Sequence, residues 1–156
     1  MNRTATILLA EDNADDVVLM QLAFKKAGLT NPVHVVSNGS EAIEYLKGAL
    51  QARSAGSAIP LLITLDLNMP LCNGFEVLSW IKKQAAFKDV PVLILSQSER
   101  ARDINRATHL GANAYLIKPS NFDGLVGMIE IFKKMLSQVS EPKREAPPRN
   151  RERASV

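Results

Sequence analysis

Five short runs of leucine, isoleucine and valine, separated by longer segments with helical spacing, restrict this chain to few architectures. The runs are ATILLA (5–10), VHVV (33–36), LLITLDL (61–67), VPVLILS (90–96) and AYLIK (114–118). Each is short for a helix, and each reads as a strand apolar on both faces. Such strands, joined by helix-length connections, imply a parallel sheet covered by helices on both sides. The expected fold is α/β: a doubly wound, flavodoxin-like, five-stranded parallel sheet. The common order for this class is 2-1-3-4-5, with ligands bound beyond the carboxyl ends of the strands, where strands 1 and 3 part.

The intervening segments support this reading. Val17, Met20, Phe24 and Ala27 fall on one helical face, and Gly28 suits the helix end. Phe122, Leu125, Ile129, Phe132 and Leu136 do the same in the last segment, where Ser120 with Asp123 resembles a capping box. The segment KGALQARSAGSAIP (47–60) lengthens the connection before the third strand and reads as a loop or a helix extension.

With 156 residues, 46% of them hydrophobic, the chain is expected to close one core, in a domain over 1–137. The net charge of +3 is mostly a property of the tail, because the residues from Ser137 onward carry +2 of it. That tail is rich in proline and arginine and offers little to bury, so 138–156 is expected to be a flexible, disordered basic segment. A solvated tail is the default; a docking arm for a partner or nucleic acid is the alternative. No apolar run approaches the roughly 20 residues of a membrane span, and MNRTATILLA lacks a secretory apolar block. The expected location is the cytoplasm, with no membrane partner. The single cysteine, Cys72, has no second thiol for a disulfide or a metal site.

The charged residues at the strand ends carry the chemistry. Asp66 closes the third run and Glu11 and Asp12 follow the first, so central, adjacent strands 1 and 3 would bring three carboxylates together. Two unit charges about 4 Å apart repel by about 4 kcal/mol at an effective dielectric of about 20. Such a cluster calls for a cation, and oxygen-only donors favour a hard one, magnesium before zinc. Asp15 and Asp16 are read as acids at the start of the first helix, where they cap it. Ser96 ends the fourth run and Lys118 the fifth. Carboxylates, a hydroxyl and an ammonium around a divalent ion suit a phosphoryl group.

Glu11-Asp12, Asp66 within LDLNMP, Asn73-Gly74, Ser96 and Lys118-Pro119 together resemble the receiver domain of two-component response regulators, over about residues 4–137. The resemblance implies that Asp66 is the phosphoacceptor, taking a phosphoryl group from a phosphohistidine on a sensor histidine kinase. It implies that Glu11, Asp12 and Asp66 hold Mg2+, with Mn2+ as a substitute, and that Asn68 lends its backbone carbonyl. Lys118 would contact the phosphoryl oxygens and Ser96 would hydrogen-bond the phosphate. Tyr115 would be the switch aromatic that follows Ser96 and remodels the surface of helix 4, strand 5 and helix 5. Pro119 resembles the family's proline after a cis peptide bond at that step. The protein would be a signalling module that assists its own phosphorylation and dephosphorylation, not a conventional enzyme.

The longer connection before strand 3, with EDNADD and LDLNMP, resembles the single-domain regulators that serve phytochrome-type kinases. That resemblance implies a bacteriophytochrome as kinase and a homodimer formed through strand 5 and helix 5. About twenty residues follow the last helix, too few for a DNA-binding output domain. The expected output is contact with a target, or relay of the phosphate to a histidine phosphotransfer protein. Gln97 departs from the small residue usual after Ser96 and is expected to alter switching. His34 and His109 lack ligand spacing and, with Trp80, read as packing residues.

Rival classes fit less well. A hydrolase with an aspartate nucleophile would want a carboxylate where Asn68 stands, and a flavin carrier would not place EDNADD in its phosphate loop. A receiver fold acting as a phosphorylation-independent interaction module remains the alternative.

Overall fold

The structure, a computed structural model, describes residues 5–53 and 59–140. In chain order the elements are β1 (Ile7–Ala10), α1 (Ala14–Lys26), β2 (Val33–Val36), α2 (Gly39–Arg53), β3 (Leu62–Leu65), α3 (Gly74–Lys82), β4 (Val92–Ser96), α4 (Ala101–His109), β5 (Ala114–Ile117) and α5 (Phe122–Ser140), with a 3-10 turn at Ala85–Phe87. All five strands are parallel, in the order β2-β1-β3-β4-β5. This is the doubly wound, flavodoxin-like sheet expected from the alternation. No helix among the described residues is long and apolar enough to cross a membrane.

Side chains alternate across each strand, so the sheet divides the core in two. Leu8, Ile63, Leu65, Val92 and Ile94 pack towards α2, α3 and α4, against Leu46, Leu78, Ile81 and Phe87. Ile7, Leu9, Leu62, Leu93 and Leu95 pack towards α1 and α5, against Met20, Phe24, Ile129 and Phe132. Fully burying each such side chain contributes about 1.5–3 kcal/mol, so the helices are held to the sheet from both sides. Val17 and Phe122 are only half-buried, and the side chain of Leu136 lies outside the described residues.

The helix ends differ in detail from the sequence expectations. Asn13, rather than Asp15 or Asp16, caps α1: its side chain accepts the Asp16 N–H at 3.1 Å. Asn121 likewise starts α5 by accepting the Gly124 N–H at 2.6 Å, so the box expected from Ser120 and Asp123 gives way to a neighbouring residue with a better-placed oxygen. At the end of α1, Gly28 takes φ +86°, as its position suggested. In the longer connection, α2 extends to Arg53, and 54–58 lie outside the described residues; α5 runs on to Ser140, three residues into the expected 138–156 tail, whose remainder, 141–156, also lies outside them. His34 stacks on Tyr45 with ring centroids 4.1 Å apart, and Trp80 tilts against Phe87.

Strand register then sets the site. Ala10 lies opposite Leu65 and Ser96 opposite Ile117. One residue further along each pair, Glu11 comes beside Asp66 and Gln97 beside Lys118, all at the carboxyl edge of the sheet.

Candidate phosphoacceptor site

β3 ends at Leu65, so Asp66 sits just past the strand, its N–H donating to Ala10 O at 3.1 Å. Its carboxylate accepts the Asn68 N–H at 3.1 Å, which folds the following loop over it. Gly74, first residue of α3, passes so near the Asp66 backbone that a Cβ there would lie 2.5 Å from its carbonyl oxygen. Asn73 caps the same helix in a reciprocal box with Glu76. The Asn73-Gly74 pair thus starts a helix and permits the close approach that holds Asp66 in place. Burial, reinforced by Glu76, pushes the nearby Cys72 thiol up to about 11.

Glu11, Asp12 and Asp66 offer oxygens that all lie within 4.8 Å of one another. Glu11 and Asp66 are buried and Asp12 is exposed. Lys118 reaches across from the end of β5, its Nζ 2.7 Å from Glu11 Oε2, 3.1 Å from Asp66 Oδ2 and 3.2 Å from Asp16 Oδ2. These residues, with Asn13, Asn68 and Gln97, line a cavity of about 200 Å³.

Burial pushes the Glu11 carboxyl up to about 7; the Lys118 hydrogen bond opposes that rise and the Asp66 charge adds to it. Burial alone would lower the Lys118 pKa, but its hydrogen bond to Glu11 and the charges of Asp66 and Glu11 outweigh it and hold the ammonium above its ordinary value. Four carboxyl groups face one ammonium, so the negative charge is incompletely balanced. An all-oxygen donor set with surplus negative charge fits a hard divalent cation.

Two residues extend or depart from the sequence reading. Asp16 belongs to this site as a partner of Lys118 and not to the helix cap. Its signal lay in its place, since Asp16 stands in the first turn of α1, directly after the end of β1 and the Asn13 cap. The Lys118–Pro119 bond is trans, against the expected cis form. Trans is the favoured isomer of such bonds by about 0.5–1 kcal/mol, and from it Lys118 reaches all three carboxylates.

Ser96 and Tyr115 lie one layer away from the acids. Ser96 is fully buried and its hydroxyl accepts the Ser98 N–H at 3.1 Å. Tyr115 is half-buried and its hydroxyl donates to Ser98 O at 2.8 Å. Neither lines the acidic cavity.

Comparisons with known proteins agree with this geometry. The family model for the response regulator receiver domain matches residues 7–130. Among curated relatives, the probable methanogenesis regulatory protein FilR2 of Methanothrix harundinacea is 35% identical over 128 residues, covering 82% of this chain and 81% of that protein. Response regulator Rcp1 of Synechocystis sp. is 33% identical over 129 residues, covering 83% and 86%. A crystal structure of the Mn2+-bound form of Rcp1 superposes with a TM-score of 0.71 at 30% identity, covering 91% of this chain and 99% of that one. The phosphorylated cyanobacterial phytochrome response regulator RcpA gives 0.75 at 33% identity, covering 88% and 96%. Phytochrome-associated response regulators are thus among its relatives, and the acidic site is of the kind that takes a divalent metal. From its sheet, its acidic site and these matches, the chain belongs to the response regulator receiver domain family.

Proposed function

We propose that the protein accepts a phosphoryl group on Asp66 from the phosphohistidine of a sensor histidine kinase. The observation that carries this reading is the buried Asp66 carboxylate, placed by register beside Glu11 and contacted by Lys118 at 3.1 Å. Glu11, Asp12, Asp66 and the Asn68 backbone carbonyl would hold Mg2+, or Mn2+ as in the Rcp1 structure. Bound there, the ion supplies positive charge against the phosphoryl oxygens.

The remaining steps belong to the chain. An Asp66 oxygen attacks phosphorus, a P–O bond forms as the P–N bond to the kinase imidazole breaks, and the product is an acyl phosphate. Lys118 transfers its hydrogen bonds from the carboxylates to the phosphoryl oxygens. Ser96 turns its hydroxyl proton towards the phosphate, and Tyr115 follows, shifting the surface of α4, β5 and α5 between existing states. Attack of water on phosphorus, assisted by the same groups, breaks the P–O bond to Asp66, releases inorganic phosphate and restores the carboxylate.

The likeness to RcpA supports a phytochrome-type kinase as partner, acting in the cytoplasm. Exposed Val18, Leu19 and Leu22 on α1 would give that kinase an apolar landing, with Leu19 lining a second cavity together with Asp16 and Lys118. The switched surface then engages a target, a histidine phosphotransfer protein or a second copy across β5 and α5.

Intact mass after incubation with acetyl phosphate tests the reading. One phosphate is expected on the wild type with Mg2+, and none without Mg2+ or in Asp66→Asn. Equal uptake by Asp66→Asn would overturn the assignment. No uptake from acetyl phosphate or from a cognate kinase, with the fold intact, would favour the phosphorylation-independent module.

A further inference from the structure

Ser98 makes four contacts that join otherwise separate parts of the molecule. Its N–H donates to the buried Ser96 hydroxyl at 3.1 Å. Its carbonyl accepts the Tyr115 hydroxyl at 2.8 Å. Its own hydroxyl donates to Asp103 Oδ2 at 2.5 Å and accepts the Arg100 N–H at 3.3 Å. The Asp103 bond has the length of a charge-assisted O–H···O− contact, among the stronger hydrogen bonds in proteins.

These contacts compensate for a missing cap. Arg100 occupies the N-cap position of α4 and makes no side-chain cap bond. Ser98 serves the backbone there instead, and it grips Asp103 in the first turn, where a negative charge also suits the helix dipole. Only one residue of α4, Ala107, is fully buried. The helix is therefore weakly anchored by packing, and its first turn rests on this polar attachment.

We infer that Ser98 is a positioning residue that couples the Ser96 hydroxyl to α4, so that α4 moves when Ser96 engages the phosphate. The Ser98 N–H occupies an acceptor site on Ser96 and leaves the Ser96 proton free to donate. Any turn of Ser96 towards the phosphate strains or breaks that bond, and the shift passes through the Ser98 hydroxyl to Asp103. Tyr115 receives the same shift through the Ser98 carbonyl. The inference rests on Asp66 being the phosphoacceptor.

Hydrogen exchange over 96–109, with and without acetyl phosphate and Mg2+, tests the coupling in wild type, Ser98→Ala and Ser98→Thr, with phosphate uptake read by intact mass. Without phosphate, Ser98→Ala should exchange roughly tenfold faster in the first turn of α4, since a bond to a charged group is lost. Ser98→Thr, which keeps the hydroxyl, should restore protection. With phosphate, exchange in α4 should change in wild type and Ser98→Thr, whereas in Ser98→Ala the change should stay within 96–98. If Ser98→Ala does not fold, Asp103→Ala makes the same test, because it removes the other end of the bond. An α4 response in the variant equal to that of wild type would overturn the inference alone. Loss of uptake in folded Ser98→Ala would place Ser98 in the reaction and overturn it too. A wild type that takes no phosphate would overturn the functional reading, and the coupling with it.

Discussion

Gln97 shows how one side chain can set the behaviour of a shared site. It is exposed and lines the acidic cavity alongside Asn68 and Lys118. If Asp66 takes the phosphoryl group as proposed, a long amide at that rim would hinder both closure of the loop on the phosphate and approach of water to it. Gln97→Ala is expected to switch more readily and to hydrolyse its acyl phosphate severalfold faster, as measured by loss of the phosphorylated mass with time. Equal lifetimes would show that the amide has no such role. At this scale the sequence was informative where chemistry dictates residue type: Glu11, Asp12, Asp66 and Lys118 meet as expected. It was silent on Ser98, whose importance comes from where its backbone N–H and C=O point, a property no residue type reveals.

Helix termini carry the clearest expectations among the elements. Gly28 ends α1 at φ +86°, and a Cβ there would also meet the Lys133 ammonium, which donates to Ala27 O at 3.2 Å. Gly28→Ala should destabilise the fold by about 1–2 kcal/mol, since a left-handed conformation is costly for alanine and the Lys133 contact must shift. Urea unfolding measures this, with the midpoint expected to fall and the slope to hold. The existence of the elements and their succession along the chain could be read from apolar runs, whereas the strand order 2-1-3-4-5 came only with the fold class. Their caps were harder to read. Asn13 competes with Asp15 and Asp16, and Asn121 with Ser120, and the local backbone path decides which oxygen reaches the free N–H groups.

The whole molecule places an acidic site on the seam between two cores, each closed by its own helices. Because the acids belong to the folded state, a divalent ion that binds them should stabilise the fold. At ten times its Kd, Mg2+ should add about 1.4 kcal/mol, or roughly 3–6 °C in Tm for a domain of this size. Asp12→Asn should lose most of that gain, and a gain unchanged in that variant would move the ion elsewhere. Long-range placement was legible only through the fold class: nothing local joins Lys118 to Glu11, 107 residues earlier. The resting ion pairs of Lys118 have one further consequence. An ammonium tethered by the backbone cannot diffuse away, so its effective concentration at the acids does not depend on the medium. Its contacts are largely shielded from solvent, where dissolved salt screens little. The resting site should therefore stay assembled across a wide range of ionic strength, while recognition through exposed charges weakens as salt rises.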